Sequence, residues 1–146
     1  MQPRRARAQN FDQLAAEARA ECLVAAWLAG VVLASGTGLQ HKLAHVLGGL
    51  GLPHAETHAI ILPHVTRFNL AAAPEAQTRL AAALDGDGAE RLTALLRGFP
   101  IPQRLREVGF DRAKTDFVAQ EVAAMAISVP RKLSAEDVRT LLAAAY

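Results

Sequence analysis

Apolar residues along the chain do not alternate with polar ones as they would in half-buried strands, and alanine and leucine dominate. Prolines and glycines break the apolar stretches at short intervals, which is typical of short helices in series. The prolines in question are Pro53, Pro63, Pro74, Pro100, Pro102 and Pro130. The pattern therefore predicts an all-α fold, a multi-helix bundle without a sheet.

The first helix is predicted over residues 11–34. It is apolar nearly all round after Cys22, so we expect its second half to be buried in the core. An arginine-rich start followed by an apolar run also resembles a signal peptide. However, Asp12, Glu17 and Glu21 stand where such a signal would be basic, and residues 22–34 are too few to span a bilayer. Residues 1–10 are interpreted as a flexible basic arm, and residues 11–146 as a single helical domain.

The later helices are bounded by the same breaks. The helix that carries His41 and His45 is predicted to end near residue 47. The next helix covers 53–69 with an interruption or kink at Pro63, and three more cover 74–84, 89–97 and 112–126. Residues 103–108 should form a short helical turn. Asp111 is placed to cap the helix that follows it, and Ser134 with Asp137 fits a capping box at the start of the last helix.

Composition narrows the possible partners. The formal charge of +2 and the low aromatic content of 5% argue against a nucleic-acid partner, and no predicted helix suits a membrane. The chain has one cysteine, Cys22, so no internal disulfide can form, and a reduced cytoplasmic setting is the simpler interpretation. We expect Cys22 to be a small core residue rather than a nucleophile.

Histidine is the residue that concentrates chemistry. All five histidines lie within the 24 residues from His41 to His64. His41 and His45 form one i,i+4 pair and His54 and His58 another, so each pair would share one face of a helix. Glycines at 48, 49 and 51 separate the pairs and would bring the second helix back beside the first. Imidazole both binds metals and carries protons near neutral pH, so this region is the candidate site.

Other interpretations of these residues stay open. A single histidine can simply be satisfied by backbone carbonyls, and His64, in an apolar segment, is best interpreted as structural. Glu56 either orients an imidazole or faces solvent. The ligand types suit zinc or iron, but a stable site wants four ligands, or three and water, and Glu56 is the only carboxylate nearby.

Four segments resemble the C-terminal helical domain of the iron-containing alcohol dehydrogenase superfamily, which shares the dehydroquinate synthase-like fold. They are GLQHKLAHVLGG over residues 38–49, LPHAETHA over 52–59, LPHV over 62–65 and FN at 68–69. The PHAETH variant is similar to the maleylacetate reductase branch. The resemblance extends from WLAG at 27–30 to SAEDVRTLL at 134–142 and so covers nearly the whole chain.

The resemblance implies NAD(P)H-dependent reduction of maleylacetate to 3-oxoadipate in the breakdown of aromatic compounds. In metal-using members, histidines at the positions of His41 and His54 join an earlier aspartate and histidine to hold iron or zinc, and the counterpart of His45 lies near the nicotinamide. Maleylacetate reductases are described as working without the metal. Without the metal, His41 and His54 would bind substrate or donate a proton, and together with His45 they are the candidate catalytic residues. A protonated imidazole beside the carbonyl could neutralise the developing alkoxide. His58 and Lys42 are candidate substrate-binding residues, with a solvated lysine as the alternative for Lys42.

The chain departs from the family in two respects. Relatives carry a nucleotide-binding domain, but this sequence has no glycine-rich loop following a strand, so we expect no cofactor site in it. Only two of the four family ligand positions, His41 and His54, are filled, which leaves iron or zinc doubtful.

Three hypotheses follow. The first is the catalytic-histidine half of a maleylacetate reductase-like enzyme, active only with a separate nucleotide-binding domain or subunit and a small dicarboxylate substrate. The second is a non-catalytic helical interaction domain that forms a homo-oligomer through an uncovered apolar face. The third is a small metal-binding helical protein that uses His41, His45, His54 and His58.

Overall fold

The computed structural model describes the backbone of residues 3–34 and 36–146 and the side chains from residue 15 onward, except residue 35. Within these ranges every regular element is helical, which confirms the all-α prediction. The chain divides into two compact units, Met1–Thr37 and Gly38–Tyr146. The predicted boundaries, an arm over 1–10 and one domain over 11–146, stay predictions.

The first unit contains one long helix, α1, over Pro3–Ala34. It starts eight residues before the predicted position, and the side chains of the predicted basic arm lie outside the described residues. The prediction that its apolar half is buried is wrong. Leu23 and Trp27 are both 68% exposed, and Cys22 is exposed as well. An apolar run indicates that a helix face tends to pack against another surface, but it does not identify that surface.

The second unit contains six α-helices among the described residues. They are α2 (Leu39–Gly49), α3 (His54–Leu70), α4 (Pro74–Leu84), α5 (Gly88–Arg97), α6 (Thr115–Ala124) and α7 (Ala135–Ala145). Their ends fall within a few residues of the glycine and proline breaks. However, α3 is not interrupted at Pro63 but passes through it, although the ring nitrogen there cannot donate a backbone hydrogen bond.

Short 3₁₀ helices replace two parts of the predicted pattern. One covers Leu105–Val108, where a helical turn was predicted, and the other covers Arg112–Lys114 and leads into α6. Asp111 caps this second 3₁₀ helix by accepting a hydrogen bond from the Ala113 N–H at 2.9 Å. The capping box predicted for α7 is confirmed, because Ser134 Oγ accepts from the Asp137 N–H and the Asp137 carboxylate accepts from the Ser134 N–H.

The core of the second unit lies where α2, α3, α6 and α7 pack together. Its largest fully buried side chains include Leu39, Leu43, Leu47, Ile61 and Leu142. The α2 leucines recur at a spacing of four, which puts them on one face and turns the opposite face outward. That outward face is the one available for histidines 41 and 45.

Among the described residues, no single helix has the length and apolar content needed to cross a membrane. A broken pair, Ala15–Ala34 with Leu39–Gly49, meets that test on length and composition alone.

Candidate active site

A tight turn brings α3 back beside α2. Gly51 adopts a φ of +92°, a left-handed conformation that favours glycine at this position. The Leu52 N–H donates to the Leu47 carbonyl, and buried Leu52 anchors the turn in the core. Pro53 then occupies the position before α3, which begins at His54. Thr57 is the only polar residue that is buried among the described residues. Its Oγ1 donates to the Pro53 carbonyl at 2.6 Å and so fixes the first turn of α3.

Four imidazole rings converge across this turn. The centroids of His41 and His45 lie 4.3 Å apart, and those of His54 and His58 lie 4.4 Å apart. Between helices, His41 lies 5.1 Å from His58, and His45 lies 5.6 Å from His54 and 6.3 Å from His58. We call these four residues the histidine cluster. The two predicted i,i+4 pairs thus form one continuous group.

Two imidazoles of the cluster, those of His41 and His58, have a pKa below the ordinary value for histidine. Partial removal from water lowers the pKa of His41, and the neighbouring His45 and His54 and the positive charge of Lys42 lower it further. Partial burial likewise lowers the pKa of His58, with the other three rings adding to the effect. At neutral pH both rings therefore offer a lone pair and an N–H group rather than a positive charge.

Gln40 is a member of the site that the sequence did not reveal. Its side-chain Nε2 donates to the His58 carbonyl at 3.0 Å and lies 3.0 Å from His58 Nδ1. It therefore bridges α2 and α3 at the cluster. The ring's other nitrogen, His58 Nε2, is buried without a hydrogen-bond partner. No spacing rule links residues 40 and 58, so only the cross-helix contact identifies this pair.

The other predicted residues are placed as follows. Lys42 is half-buried on α2 and close enough to depress the pKa of His41. Glu56 is half-buried in the first turn of α3. His64 lines a separate cavity of about 230 Å³ together with Phe68 and Leu141, and burial lowers its pKa. His64 is therefore not a member of the histidine cluster.

The donor set is close to that of a metal site but incomplete. His41, His45 and His58 each offer one nitrogen within 4.8 Å of the others, whereas the predicted ligand His54 is outside this group. Three imidazoles suit zinc or iron by type. However, Gln40 already engages His58 Nδ1, and no carboxylate joins the group among the described residues. The group therefore reaches three protein ligands only if His58 binds through Nε2, and it lacks a fourth protein ligand among the described residues.

Comparison with known proteins identifies the family. The model of the Fe-containing alcohol dehydrogenase family, C-terminal, matches residues 6–146. This chain belongs to the Fe-containing alcohol dehydrogenase family. Eight relatives of this family member, between 37% and 45% identical to it, are maleylacetate reductases, which confirms the resemblance to that branch.

Two of these relatives show how much is shared. Maleylacetate reductase 2 of Cupriavidus pinatubonensis is 45% identical over 136 residues, which cover 89% of this chain and 38% of the relative. Maleylacetate reductase of Burkholderia cepacia is 41% identical over 132 residues, which cover 88% of the chain and 38% of the relative. The Fe-containing alcohol dehydrogenase chain described here thus spans about two fifths of the length of these relatives.

The fold agrees with solved structures of the family. Maleylacetate reductase from Agrobacterium tumefaciens has a TM-score of 0.72 at 37% identity, and the match covers 76% of this chain and 32% of that one. The enzyme from Rhizobium sp. strain MTP-10005 has a TM-score of 0.71 at 35% identity, with the same coverage. The helical fold of the C-terminal domain in the Fe-containing alcohol dehydrogenase family is therefore confirmed.

Proposed function

We propose that this chain is the catalytic-histidine helical part of an NAD(P)H-dependent oxidoreductase that reduces maleylacetate to 3-oxoadipate in the breakdown of aromatic compounds. The observation that carries the proposal is the histidine cluster, which joins four imidazoles on two adjacent helices. The names of the relatives support the choice of substrate. The hydride comes from NAD(P)H, whose binding requires a nucleotide-binding part beyond these helices.

The reaction defines what the cluster has to do. Maleylacetate carries a C=C bond conjugated to a ketone, and 3-oxoadipate keeps the ketone but not that double bond. Hydride addition to the alkene carbon remote from the ketone moves the electron pair toward the ketone oxygen, giving an enolate. A proton then adds to the other alkene carbon, so one hydride and one proton are consumed. The charge to be stabilised is therefore an enolate, not the alkoxide expected for simple carbonyl reduction.

The imidazoles match this task. Their N–H groups can donate hydrogen bonds to the enolate oxygen as its charge develops, and a protonated ring can supply the proton. We assign these two roles to His41, His45 and His54, and the binding of a substrate carboxylate to His58 and Lys42. Participation of His41 and His54 in a metal site is the alternative role, and the position of His54 outside the compact group of three nitrogens weighs against it.

A chimeric enzyme tests the proposal. This chain would replace the part that it matches in maleylacetate reductase 2 of Cupriavidus pinatubonensis, and NADH oxidation would be followed with maleylacetate as substrate. We expect turnover, and we expect His45→Ala to lower kcat by about a hundredfold or more, the usual contribution of a positioned acid or base. His64→Gln, a histidine change outside the cluster, is the matched control and should retain activity. A folded chimera that binds NADH but does not turn over would refute the proposal.

The exposed side of α1 favours a second candidate, a helical interaction domain that self-associates. Leu23, Trp27 and Leu28 are more than half exposed on this helix, and apolar surface of this kind commonly marks an interface. Sedimentation of the chain at increasing concentration should then show a dimer or larger species that Trp27→Lys shifts toward the monomer. A monomer at all concentrations would exclude this candidate.

A further inference from the structure

The contact between Gln40 and His58 fixes which nitrogen of His58 carries the proton. A backbone carbonyl can only accept a hydrogen bond, so the Gln40 atom 3.0 Å from the His58 carbonyl must be the amide nitrogen and not the amide oxygen. The same nitrogen lies 3.0 Å from His58 Nδ1. Its two hydrogens thus serve two acceptors, and Nδ1 has to be the unprotonated one.

A neutral imidazole has one N–H group, so an unprotonated Nδ1 leaves the proton of His58 on Nε2. This Nε2 is buried and has no partner. A buried N–H group without an acceptor destabilises the folded chain, and that cost is recovered when an acceptor binds. His58 Nε2 is therefore a donor held ready for a hydrogen-bond acceptor.

The surroundings of His58 indicate what that acceptor is. The groups that act electrostatically on His58 are His41, His45 and His54, all of which are neutral or positive. Among the described residues, none of the groups that shift the pKa of His58 is acidic, so none of them repels an anionic ligand. His45 and His54, whose ring centroids lie 6.3 and 4.4 Å from that of His58, are exposed to solvent.

We infer that Gln40 is a positioning residue which holds His58 as the Nε2–H tautomer, so that His58 donates a hydrogen bond to a carboxylate oxygen of the substrate and does not ligate a metal. Metal binding through Nδ1 would break the Gln40 contact, and metal binding through Nε2 would require its proton to move to Nδ1, where it would face the Gln40 amide donor. His58 thus differs from His41 and His45, with which it shares the compact group of nitrogens. The identity of the carboxylate rests on the proposed function, whereas the tautomer does not.

The tautomer can be measured directly on the isolated chain. Long-range ¹H–¹⁵N spectra of the histidine rings, recorded well above the ordinary histidine pKa, distinguish a protonated Nε2 from a protonated Nδ1. We expect the Nε2–H form for His58 in the wild type and in Gln120→Leu, a matched control at an exposed glutamine. Gln40→Leu should give a mixture of both forms. A protonated Nδ1 in the wild type would overturn the inference.

Ligand titrations separate donation from metal binding. Maleate is the dicarboxylate probe and Zn²⁺ alone is the metal probe, both followed on the isolated chain. His58→Ala should weaken maleate binding about tenfold or more, the effect of losing one hydrogen bond to a charged group. His58→Gln places an amide donor near the position of Nε2 and should restore most of that affinity.

Zinc affinity should change less than twofold in His58→Ala but fall about tenfold in His41→Ala. Equal losses of zinc affinity in these two variants would assign His58 to a metal site and overturn the inference, and so would maleate binding that His58→Ala leaves unchanged. An inactive chimera whose His58 shows the expected tautomer and maleate dependence would count against the proposed function alone.

Discussion

Gly88→Ala should destabilise the second unit although alanine is the better helix former. Gly88 is the buried first residue of α5, where Asp87 caps the helix by accepting from the Glu90 N–H at 2.9 Å. A Cβ atom at this position would lie 2.3 Å from Cδ2 and 2.8 Å from Cγ of Leu80. Carbon atoms normally approach to about 3.5–4.0 Å, so Leu80 or the α5 backbone must move.

The net effect can be worked from two terms. Overpacking of this kind costs about 1–3 kcal/mol, and the change from glycine to alanine returns at most about 1 kcal/mol of helix propensity. We expect urea denaturation followed by circular dichroism to show a net loss of about 1–2 kcal/mol in the free energy of unfolding, with an unchanged slope.

Two further variants make the test specific. Gly48→Ala, in α2, is the matched control, because a Cβ there has no atom within 4 Å, and it should gain about 0.5–1 kcal/mol. Combining Gly88→Ala with Leu80→Ala should cost less than the sum of the single changes, because the smaller side chain removes the clash. If Gly88→Ala proves as stable as Gly48→Ala, the packing argument is wrong.

Three other predictions concern protonation, capping and exposure. Burial, with help from two nearby arginines, lowers the pKa of His64 below its ordinary 6.5, so the unfolded state binds the proton more readily. The contribution of His64 to the free energy of unfolding is complete above pH 6.5 and is lost as the pH falls through the lowered pKa. His64→Gln should flatten this part of a plot of the urea midpoint against pH, and an unchanged slope would contradict the assignment. Ser134→Ala removes half of the capping box and should lower the free energy of unfolding by about 1 kcal/mol, whereas the exposed control Ser128→Ala should leave thermal unfolding unchanged. The exposed Cys22 thiol should react fully with a thiol reagent in the native chain, and protection until denaturation would show that α1 is covered.

The helices could be predicted from the sequence because their ends are set by local chemistry. Proline at the start of α4 and the glycines at the end of α2 act within one turn of the chain, and the Ser134 capping box spans only four residues. The approach of the two histidine pairs was predictable for the same reason, since only a short turn separates their helices.

Features that depend on distant surfaces could not be predicted in this way. The apolar second half of α1 indicated burial, but whether a face is covered depends on a partner surface that periodicity does not identify. The contact between Gln40 and His58 joins residues 18 positions apart, and its consequence for the ring proton follows only from the position of a carbonyl. Periodicity therefore located the site but could not assign the role of each ring.

The α2–turn–α3 hairpin carries all four clustered imidazoles within the 18 residues from His41 to His58. Recombination that transfers this hairpin to another chain would therefore transfer all four imidazoles together. The turn within the hairpin would still set the distances between them. An extra residue between Leu50 and Pro53 would disturb the left-handed Gly51 and the hydrogen bond from the Leu52 N–H to the Leu47 carbonyl, which together close the turn and set where α3 begins beside α2. Variation in the length of this turn is thus a more severe change to the chemistry than substitution of any one of its residues.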